Sequence, residues 1–266
     1  PSEECSKFPK MNLQVRMCYS FTPEGFSVFL IIPDYSAVKK INFEEELSKP
    51  LEDFLIKKGF LIRCEIKNCD MVAQRDEKYY CIELKKTLSV DLLCQAVERK
   101  KMVDGVFICI PAPKYGIGSR NFKNKLKLLK ELNIGLIIIY MLSKDRIVEI
   151  VSTPKIKENN KKGKKRELLI KEFDGRTGNY NRAGISKKKI ITAYREKCLL
   201  VAKLLNEYGK SSPAELIKRG APSKTQNILY KNYYRWFNRI DRGLYEISLS
   251  GKKAIDDFSA ILKEKK

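Results

Sequence analysis

The order of hydrophobic and polar positions over residues 42–151 predicts helices that alternate with strands. Apolar residues recur at three- and four-residue steps in Asn42–Lys58, Ser89–Arg99 and Ser119–Leu132, which predicts three amphipathic helices. Apolar, β-preferring runs predict the strands, which are Phe60–Ile66, Cys69–Gln74, Tyr79–Lys86, Val103–Ile110, Ile134–Leu142 and Arg146–Val151. An order of helix, three strands, helix, strand, helix and strand is typical of an α/β domain with a mixed sheet.

Residues 1–40 precede this pattern as an N-terminal extension. Leu13–Tyr19 and Phe26–Ile32 are two strand-like runs, and the residues Thr22–Gly25 between them suit a turn. We expect a hairpin there and assign it no chemistry.

The stretch from Cys69 to Lys86 is the most informative part of the chain. Two β-preferring runs flank a polar link, which predicts a hairpin whose turn is centred after Asp76. Antiparallel pairing about that centre places Asp70 opposite Glu83, and alternation puts Lys85 on the same face. One face of the hairpin is then apolar, and the other carries two carboxylates and an amine.

Like charges directly opposite each other in a sheet are destabilising, so the predicted pair of Asp70 and Glu83 requires a compensating charge. A divalent cation supplies it, since Mg²⁺ combines one or two carboxylates with water and phosphate oxygens. Lys85 would point at the same ion, an arrangement suited to metal-assisted phosphodiester hydrolysis. The alternative is a solvated outer face with charges of both signs.

Three further side chains are predicted near this hairpin. Glu44 lies at the edge of the apolar stripe of the first helix, which makes it a candidate metal ligand; the alternative is an acid favoured by the helix dipole. Gln95 and Arg99 lie one turn apart on the helix after the hairpin, so both can reach toward a phosphate or a water. The alternative for these two is a solvated helix face.

Residues 154–189 form a polar, basic segment that is poor in apolar residues. Its charge run and its polar, glycine-containing stretch are typical of a linker or an exposed arm. We expect a clamp on the phosphate backbone of a nucleic acid, formed by Lys164, Lys165, Arg166, Arg176 and Arg182. The alternative is a merely solvated linker.

Residues 190–266 carry a second helical pattern. The predicted elements are a helix over Ile190–Tyr208, a short helix from Ser211, a helix from Ser223 to about Ile240, a wing strand over Arg242–Ser248 and a helix from Ser250 through Leu262. Short helix, turn, longer helix and wing are typical of a winged helix-turn-helix. The third helix would be the reader, and the residues at its N-terminal end are Lys224, Thr225, Gln226 and Asn227.

An aromatic cluster lies within the predicted third helix. It invites a base-stacking role, as on single-strand platforms, but most of it follows a helical stripe, which favours core packing. The stripe consists of Leu229, Tyr233, Trp236 and Phe237. Tyr230 and Tyr234 remain candidate contacts.

Composition narrows the chemistry. The 266 residues carry a formal charge of +22 with an isoelectric point near 9.6, which favours a polyanionic partner, nucleic acid first. Histidine is absent and the eight cysteines show no Cys-x-x-Cys spacing, so zinc ligation and His-based acid/base chemistry are excluded. The longest apolar strand is too short to span a bilayer, and no signal peptide is recognisable, so we expect a cytoplasmic protein with no membrane partner.

The motifs resemble the PD-(D/E)XK nuclease superfamily and, more narrowly, a bacterial family of putative PD-(D/E)XK phosphodiesterases. They are Glu44-x-x-Leu47-x-x-Pro50, Cys69-Asp70-x-Val72-Ala73, Glu83-Leu84-Lys85, Gln95-Ala96-Val97-x-Arg99 and Asp104. The likeness covers residues 42–266, since that family also has a second domain similar to the C-terminal one. It implies that Asp70 and Glu83 are metal ligands, that Lys85 is the catalytic lysine, and that Glu44 and Gln95 support them. Residues 1–40 have no counterpart, and no proline precedes Asp70.

These observations predict a two-domain, metal-dependent nuclease from a bacterial cytoplasm. The expected fold class is α/β, with a PD-(D/E)XK mixed-sheet core in residues 41–153 and a C-terminal winged helix-turn-helix domain in residues 190–266. The expected cofactor is Mg²⁺ or Mn²⁺, and the expected partner is nucleic acid, DNA before RNA, with a homodimer possible. Two alternatives stay open: a noncatalytic DNA-binding or regulatory protein on a nuclease-like scaffold, and an RNA-processing nuclease.

Overall fold

The structure is a computed structural model of the 266-residue chain. It describes residues 16–20 and 28–32 as backbone, and residues 39–114, 116–142, 145–156, 163–184 and 189–259 with their side chains. The chain divides into two compact units, of which the first is Pro1–Ile62, Cys69–Gly163 and Arg182–Ser186. The second is Arg63–Asn68, Lys164–Asn181 and Lys187–Lys266.

The described residues form the following elements. The strands are β1 (Arg16–Ser20), β2 (Val28–Ile32), β3 (Leu61–Ile66), β4 (Cys69–Arg75), β5 (Lys78–Leu84), β6 (Gly105–Pro111), β7 (Gly135–Met141), β8 (Arg146–Ser152), β9 (Phe237–Asp241) and β10 (Leu244–Ile247). The helices are α1 (Ser48–Lys57), α2 (Val90–Arg99), α3 (Arg120–Glu131), α4 (Lys164–Gly175), α5 (Ala193–Tyr208), α6 (Pro213–Lys218), α7 (Thr225–Lys231) and α8 (Leu249–Asp257).

A six-stranded mixed sheet with the order β3-β4-β5-β6-β7-β8 organises the α/β part of the chain. The strand pairs β4–β5 and β7–β8 are antiparallel, whereas β5–β6 and β6–β7 are parallel. The parallel strands are joined through α2 and α3, so the C-terminal ends of β5, β6 and β7 meet at one edge of the sheet. We call it the C-terminal edge. The predicted order of elements is confirmed, and the sheet fits a PD-(D/E)XK-like core.

Local signals in the sequence set the element boundaries. Ser89 caps α2 by accepting from Leu92 N, and Ser119 caps α3 in the same way, as their positions predict. The helix predicted over Asn42–Lys58 is divided, since a 3₁₀ turn over Glu44–Leu47 precedes α1. β1 and β2 pair antiparallel, as expected for the N-terminal extension, while the turn predicted between them lies outside the described residues.

The basic segment predicted as a linker contains a helix. α4 spans Lys164–Gly175 and buries Leu169 and Phe173. These two residues are four positions apart, so one face of α4 packs inward while the charged residues stay outside. The segment predicted as a linker or exposed arm is therefore a helix with one buried face over this range.

The second unit has its own hydrophobic core, which includes Leu199 and Val201 of α5, Leu216 of α6 and Trp236. The helix predicted from Ser223 to Ile240 is wrong in its second half. α7 ends at Lys231, and Asn232 adopts a left-handed conformation with φ +41°. β9 and β10 then form an antiparallel hairpin.

Within the part of the chain that the structure describes, no helix is both long and apolar enough to cross a membrane.

Candidate functional site

The predicted lysine lies at the C-terminal edge of the sheet. Lys85 directly follows β5, and its backbone N–H donates to Cys109 O of β6 at 3.0 Å. Its side-chain Nζ donates to Glu44 Oε2 at 2.9 Å, and both side chains are partly exposed, at 32% and 25%. The 3₁₀ turn that contains Glu44 therefore brings a carboxylate to the end of β5, as the candidate ligand set requires.

The charge on Lys85 follows from its surroundings. Partial burial by itself lowers the pKa of the ammonium group. The hydrogen bond to Glu44 and the negative charges of Asp70, Glu44 and Glu83 act in the opposite direction, and the net result is a raised pKa. Lys85 is thus an ammonium group in the electrostatic field of three carboxylates.

Glu83 is almost fully buried, with 2% of its surface exposed. Its Oε1 accepts from Arg99 Nε at 2.8 Å and from the Cys81 thiol at 3.5 Å. Arg99, predicted as a contact for nucleic acid, has a side chain only 13% exposed and forms this internal ion pair instead. We correct that prediction, because a guanidinium held against a buried carboxylate is not presented to a phosphate.

Asp70 and Glu83 follow directly after the paired part of the hairpin. The pairing of β4 with β5 keeps the predicted register from Arg75–Lys78 to Met71–Ile82, and Asp70 and Glu83 are the next residues of the two strands. The carboxylate of Asp70 then accepts from the backbone N–H of Leu84 at 2.8 Å. Asp70 is therefore tied to the end of β5, and the negative charges of Asp70 and Glu83 both act on Lys85.

Two thiols lie beside Glu83, which the sequence did not predict. One ligand atom each of Cys69, Cys81 and Glu83 lies within 4.8 Å of the other two, and all three residues are buried. Burial and the hydrogen bond with Cys69 raise the pKa of the Cys81 thiol well above its ordinary value, so the thiol is a donor to Glu83. Strict alternation in β4 places Cys69 on the face of the hairpin opposite to Glu83. Alternation in the sequence therefore places only Cys81 on the same face as Glu83.

The carboxylates are of the chemical class that a hard divalent cation binds, but the oxygens of Glu44, Asp70 and Glu83 do not all lie within 4.8 Å of one another in the structure. Carboxylate oxygens are the donors that Mg²⁺ and Mn²⁺ take, and Glu83 Oε2 accepts no hydrogen bond from any residue that the structure describes. Glu44 and Asp70 are partly exposed and can approach an ion from solvent. The Cys81 thiol donates its proton to Glu83 in a hydrogen bond and is not part of this set.

The remaining motif residues near the hairpin have different surroundings. Gln95 is exposed on α2 and makes no side-chain hydrogen bond with a described residue. Asp104 accepts from the backbone N–H of Tyr79 at 2.8 Å, which ties the start of β5 to the loop before β6. The structure therefore brings Glu44, Asp70, Glu83 and Lys85 together, but it does not bring Gln95 into contact with them.

The basic residues predicted to clamp a backbone do not behave alike. Lys164 and Lys165 are exposed at the start of α4, Arg166 is partly buried there, and Arg182 is exposed. Arg176 is only 4% exposed, so its predicted role as a phosphate contact is corrected. Its guanidinium donates to Glu172 Oε1 and to the backbone carbonyls of Cys64 and Glu65 at 2.7–2.8 Å.

The residues predicted to read bases are divided in the same way. Lys224, Gln226 and Asn227 are exposed around the start of α7. Thr225 is fully buried and its hydroxyl donates to Pro222 O, so we correct its predicted role as a base contact. Among the aromatic candidates, Tyr230 is 78% exposed.

A family model matches this chain. It is the model of the family described as putative PD-(D/E)XK phosphodiesterase, and it matches residues 137–254. No curated protein and no solved structure matches the chain. The match confirms the resemblance to the PD-(D/E)XK superfamily over β7, β8 and most of the second unit. Asp70, Glu83 and Lys85 lie N-terminal to the matched range.

Proposed function

We propose that this chain, which is similar over residues 137–254 to the family of putative PD-(D/E)XK phosphodiesterases, is a metal-dependent nuclease acting on DNA. The observation that carries the proposal is the ammonium group of Lys85 among the carboxylates of Glu44, Asp70 and Glu83. These groups lie at the C-terminal edge of the sheet, where open α/β sheets bind ligands. The charge of +22 suits a polyanionic substrate.

In the proposed mechanism Asp70 and Glu83 would hold Mg²⁺ or Mn²⁺, and Glu44 would support them. When bound, the cation would supply Lewis-acid activation of the phosphodiester and of the attacking water. Lys85, held protonated by its carboxylate neighbours, offsets the negative charge that develops on the phosphorane oxygens.

The second unit would position DNA. The order α5, α6, α7, β9–β10 hairpin and α8 supports a winged helix-turn-helix, in which α7 reads the major groove and the hairpin is the wing. Lys224, Gln226 and Asn227 are the exposed side chains that we assign to that role. Lys164, Lys165 and Arg182 would contact backbone phosphates.

The decisive experiment compares cleavage of circular and linear DNA, and of RNA, by the purified full chain with Mg²⁺, with Mn²⁺ and with EDTA. We expect cleavage that requires the metal and that falls by about 10²- to 10³-fold in Glu83→Ala and in Lys85→Ala. Binding of DNA in EDTA should stay close to wild type in both variants. Lys86→Ala is the matched control, since Lys86 is exposed and donates to the backbone carbonyl of Asn42.

A second candidate function is a noncatalytic DNA-binding protein on the same scaffold. One observation favours it, namely that Arg99 already neutralises the carboxylate of Glu83. The same assay separates the two candidates. Metal-independent binding with no cleavage of any substrate would favour the noncatalytic scaffold. Unchanged cleavage by Lys85→Ala would exclude the proposed site.

A further inference from the structure

A basic stripe runs along α3, away from the residues assigned to the site. The stripe is Arg120, Lys123, Lys127 and Lys130, which are spaced by three, four and three positions. At about 100° per residue these four side chains fall within about 80° of one another around the helix, so they share one face. All four are exposed, and none forms an ion pair with a residue that the structure describes.

The arrangement is unfavourable for the helix itself. Each neighbouring pair in the stripe is a like-charge pair at three or four positions, which destabilises a helix. Arg120 also lies in the first turn, where the helix dipole disfavours a cation, and the first turn of α3 has no acidic residue. Glu131, the last residue of α3, is the one acid of the helix and lies four residues after Lys127. The face therefore keeps a net positive charge that an external anion can neutralise.

The stripe on α3 begins at the C-terminal edge of the sheet. α3 follows the C-terminal end of β6, so Arg120 begins the helix at the edge of the sheet where Lys85 lies. Two right-handed crossovers in the same direction place α2 and α3 on the same face of the sheet. Arg99 of α2 reaches Glu83, so this is also the face that carries the Glu83 carboxylate.

We propose that the stripe on α3 binds the phosphate backbone of a nucleic acid beside the C-terminal edge of the sheet. The stripe extends about 15 Å along the helix axis, which matches several consecutive phosphates of a duplex. An anionic membrane surface is disfavoured, because membrane-surface helices insert their apolar face, whereas Phe122 and Leu129 of α3 are buried within the protein. The proposal deepens the proposed function by naming the surface that holds the substrate.

The test measures binding rather than cleavage, so its outcome is separate from that of the nuclease assay. Binding of a fluorescent DNA duplex to the full chain is titrated in EDTA at a series of salt concentrations. In the triple variant Arg120→Gln, Lys123→Gln, Lys127→Gln, the slope of log K against log salt should fall by about two to three, roughly one for each lost phosphate contact.

The matched control removes the same charge elsewhere in the first unit. Lys57, Lys58 and Lys78 are exposed at the end of α1 and the start of β5, away from the C-terminal edge. The triple variant of these lysines to glutamine should keep the wild-type slope. An equal loss of slope in both triple variants, or no loss in the α3 variant, would overturn the proposal.

Two further measurements complete the test. Arg120→Gln alone should lower the slope by about one, which keeps the proposal testable if the triple variant unfolds. Sedimentation with vesicles of phosphatidylserine and phosphatidylcholine tests the membrane surface. A variant that loses vesicle binding but keeps the wild-type slope on DNA would assign the stripe to lipid and overturn the proposal.

Discussion

Two cationic side chains, Lys85 and Arg99, pair with different carboxylates of the candidate site. Lys85 donates to Glu44 from a partly exposed position, whereas Arg99 holds the buried carboxylate of Glu83. Removing one partner of a buried ion pair leaves an uncompensated charge, which is strongly destabilising. We therefore expect substitution of Lys85 to lower cleavage, and substitution of Arg99 to lower the stability of the protein.

Arg99→Met should lower the free energy of unfolding by about 3 kcal/mol in EDTA, since Glu83 is left buried and unpaired. A divalent cation can supply the missing positive charge, so Mn²⁺ should raise the melting temperature of Arg99→Met more than that of the wild type. Thermal unfolding with Mn²⁺ and with EDTA checks this. The double variant with Glu83→Gln should lose the extra response to Mn²⁺, and an equal response in all three proteins would contradict the assignment of Glu83 as a ligand.

Gly184 supports the position of Glu44. Gly184 has φ +73°, and a Cβ there would lie 3.2 Å from Glu44 Cβ. Gly184→Ala should lose about 1 kcal/mol of stability through backbone strain and should also displace Glu44, so cleavage should fall further than stability explains.

Gly59→Ala is the matched control, because Gly59 has φ +80° and a Cβ there would have no other atom within 4 Å. It should lose similar stability and keep wild-type cleavage. If both alanine variants cleave alike, Glu44 does not contribute to the site.

The candidate residues could be predicted from sequence because strand alternation and a hairpin turn are local properties. Lys85 followed from its spacing after Glu83. The partner of Glu83 could not be predicted, since only the packing of α2 against the sheet decides whether Arg99 turns inward or outward. The burial of Arg176 is a similar case, because its acceptors Cys64 and Glu65 are remote in sequence.

At the level of elements, the same helical spacing had two different outcomes. In α1, α2 and α3 the apolar stripe marks a helix, as predicted. After Lys231 a comparable stripe continues into β9, because Asn232 ends the helix and its side chain hydrogen-bonds Phe237 O at 2.6 Å. Trp236 and Phe237 are buried in the structure, and the helical stripe also predicted that they are buried, so burial alone did not reveal the strand.

α6 carries an element-scale prediction about pH. Ser212 and Glu215 form a capping box, and the backbone N–H and the hydroxyl of Ser212 lower the pKa of Glu215 below its ordinary 4.5. A lowered pKa in the folded state contributes stability above the unfolded pKa, which is lost as the pH falls through the folded pKa. Glu215→Ala should therefore be less stable than the wild type at pH 7, and this difference should shrink toward pH 3. Urea unfolding at both pH values checks it, and a difference that grows in acid would contradict the capping box.

At the scale of the whole molecule, charge and family resemblance support the account from different parts of the chain. The family match covers residues 137–254, whereas Asp70, Glu83 and Lys85 come from the preceding hairpin. The charge of +22 belongs to the whole chain and predicts binding of DNA that weakens steeply with salt. Neither observation tests which residues bind the metal. The central claim is therefore tested by measuring the binding of the cation.

The most direct test is calorimetric titration of Mn²⁺ into the wild type and into Asp70→Asn, Glu83→Gln and Lys85→Met. The account predicts one site in the wild type, binding that is about tenfold or more weaker in the two carboxylate variants, and binding at least as tight in Lys85→Met, which loses a repelling charge. Absence of Mn²⁺ binding by the wild type, or equal binding by Asp70→Asn and Glu83→Gln, would contradict it.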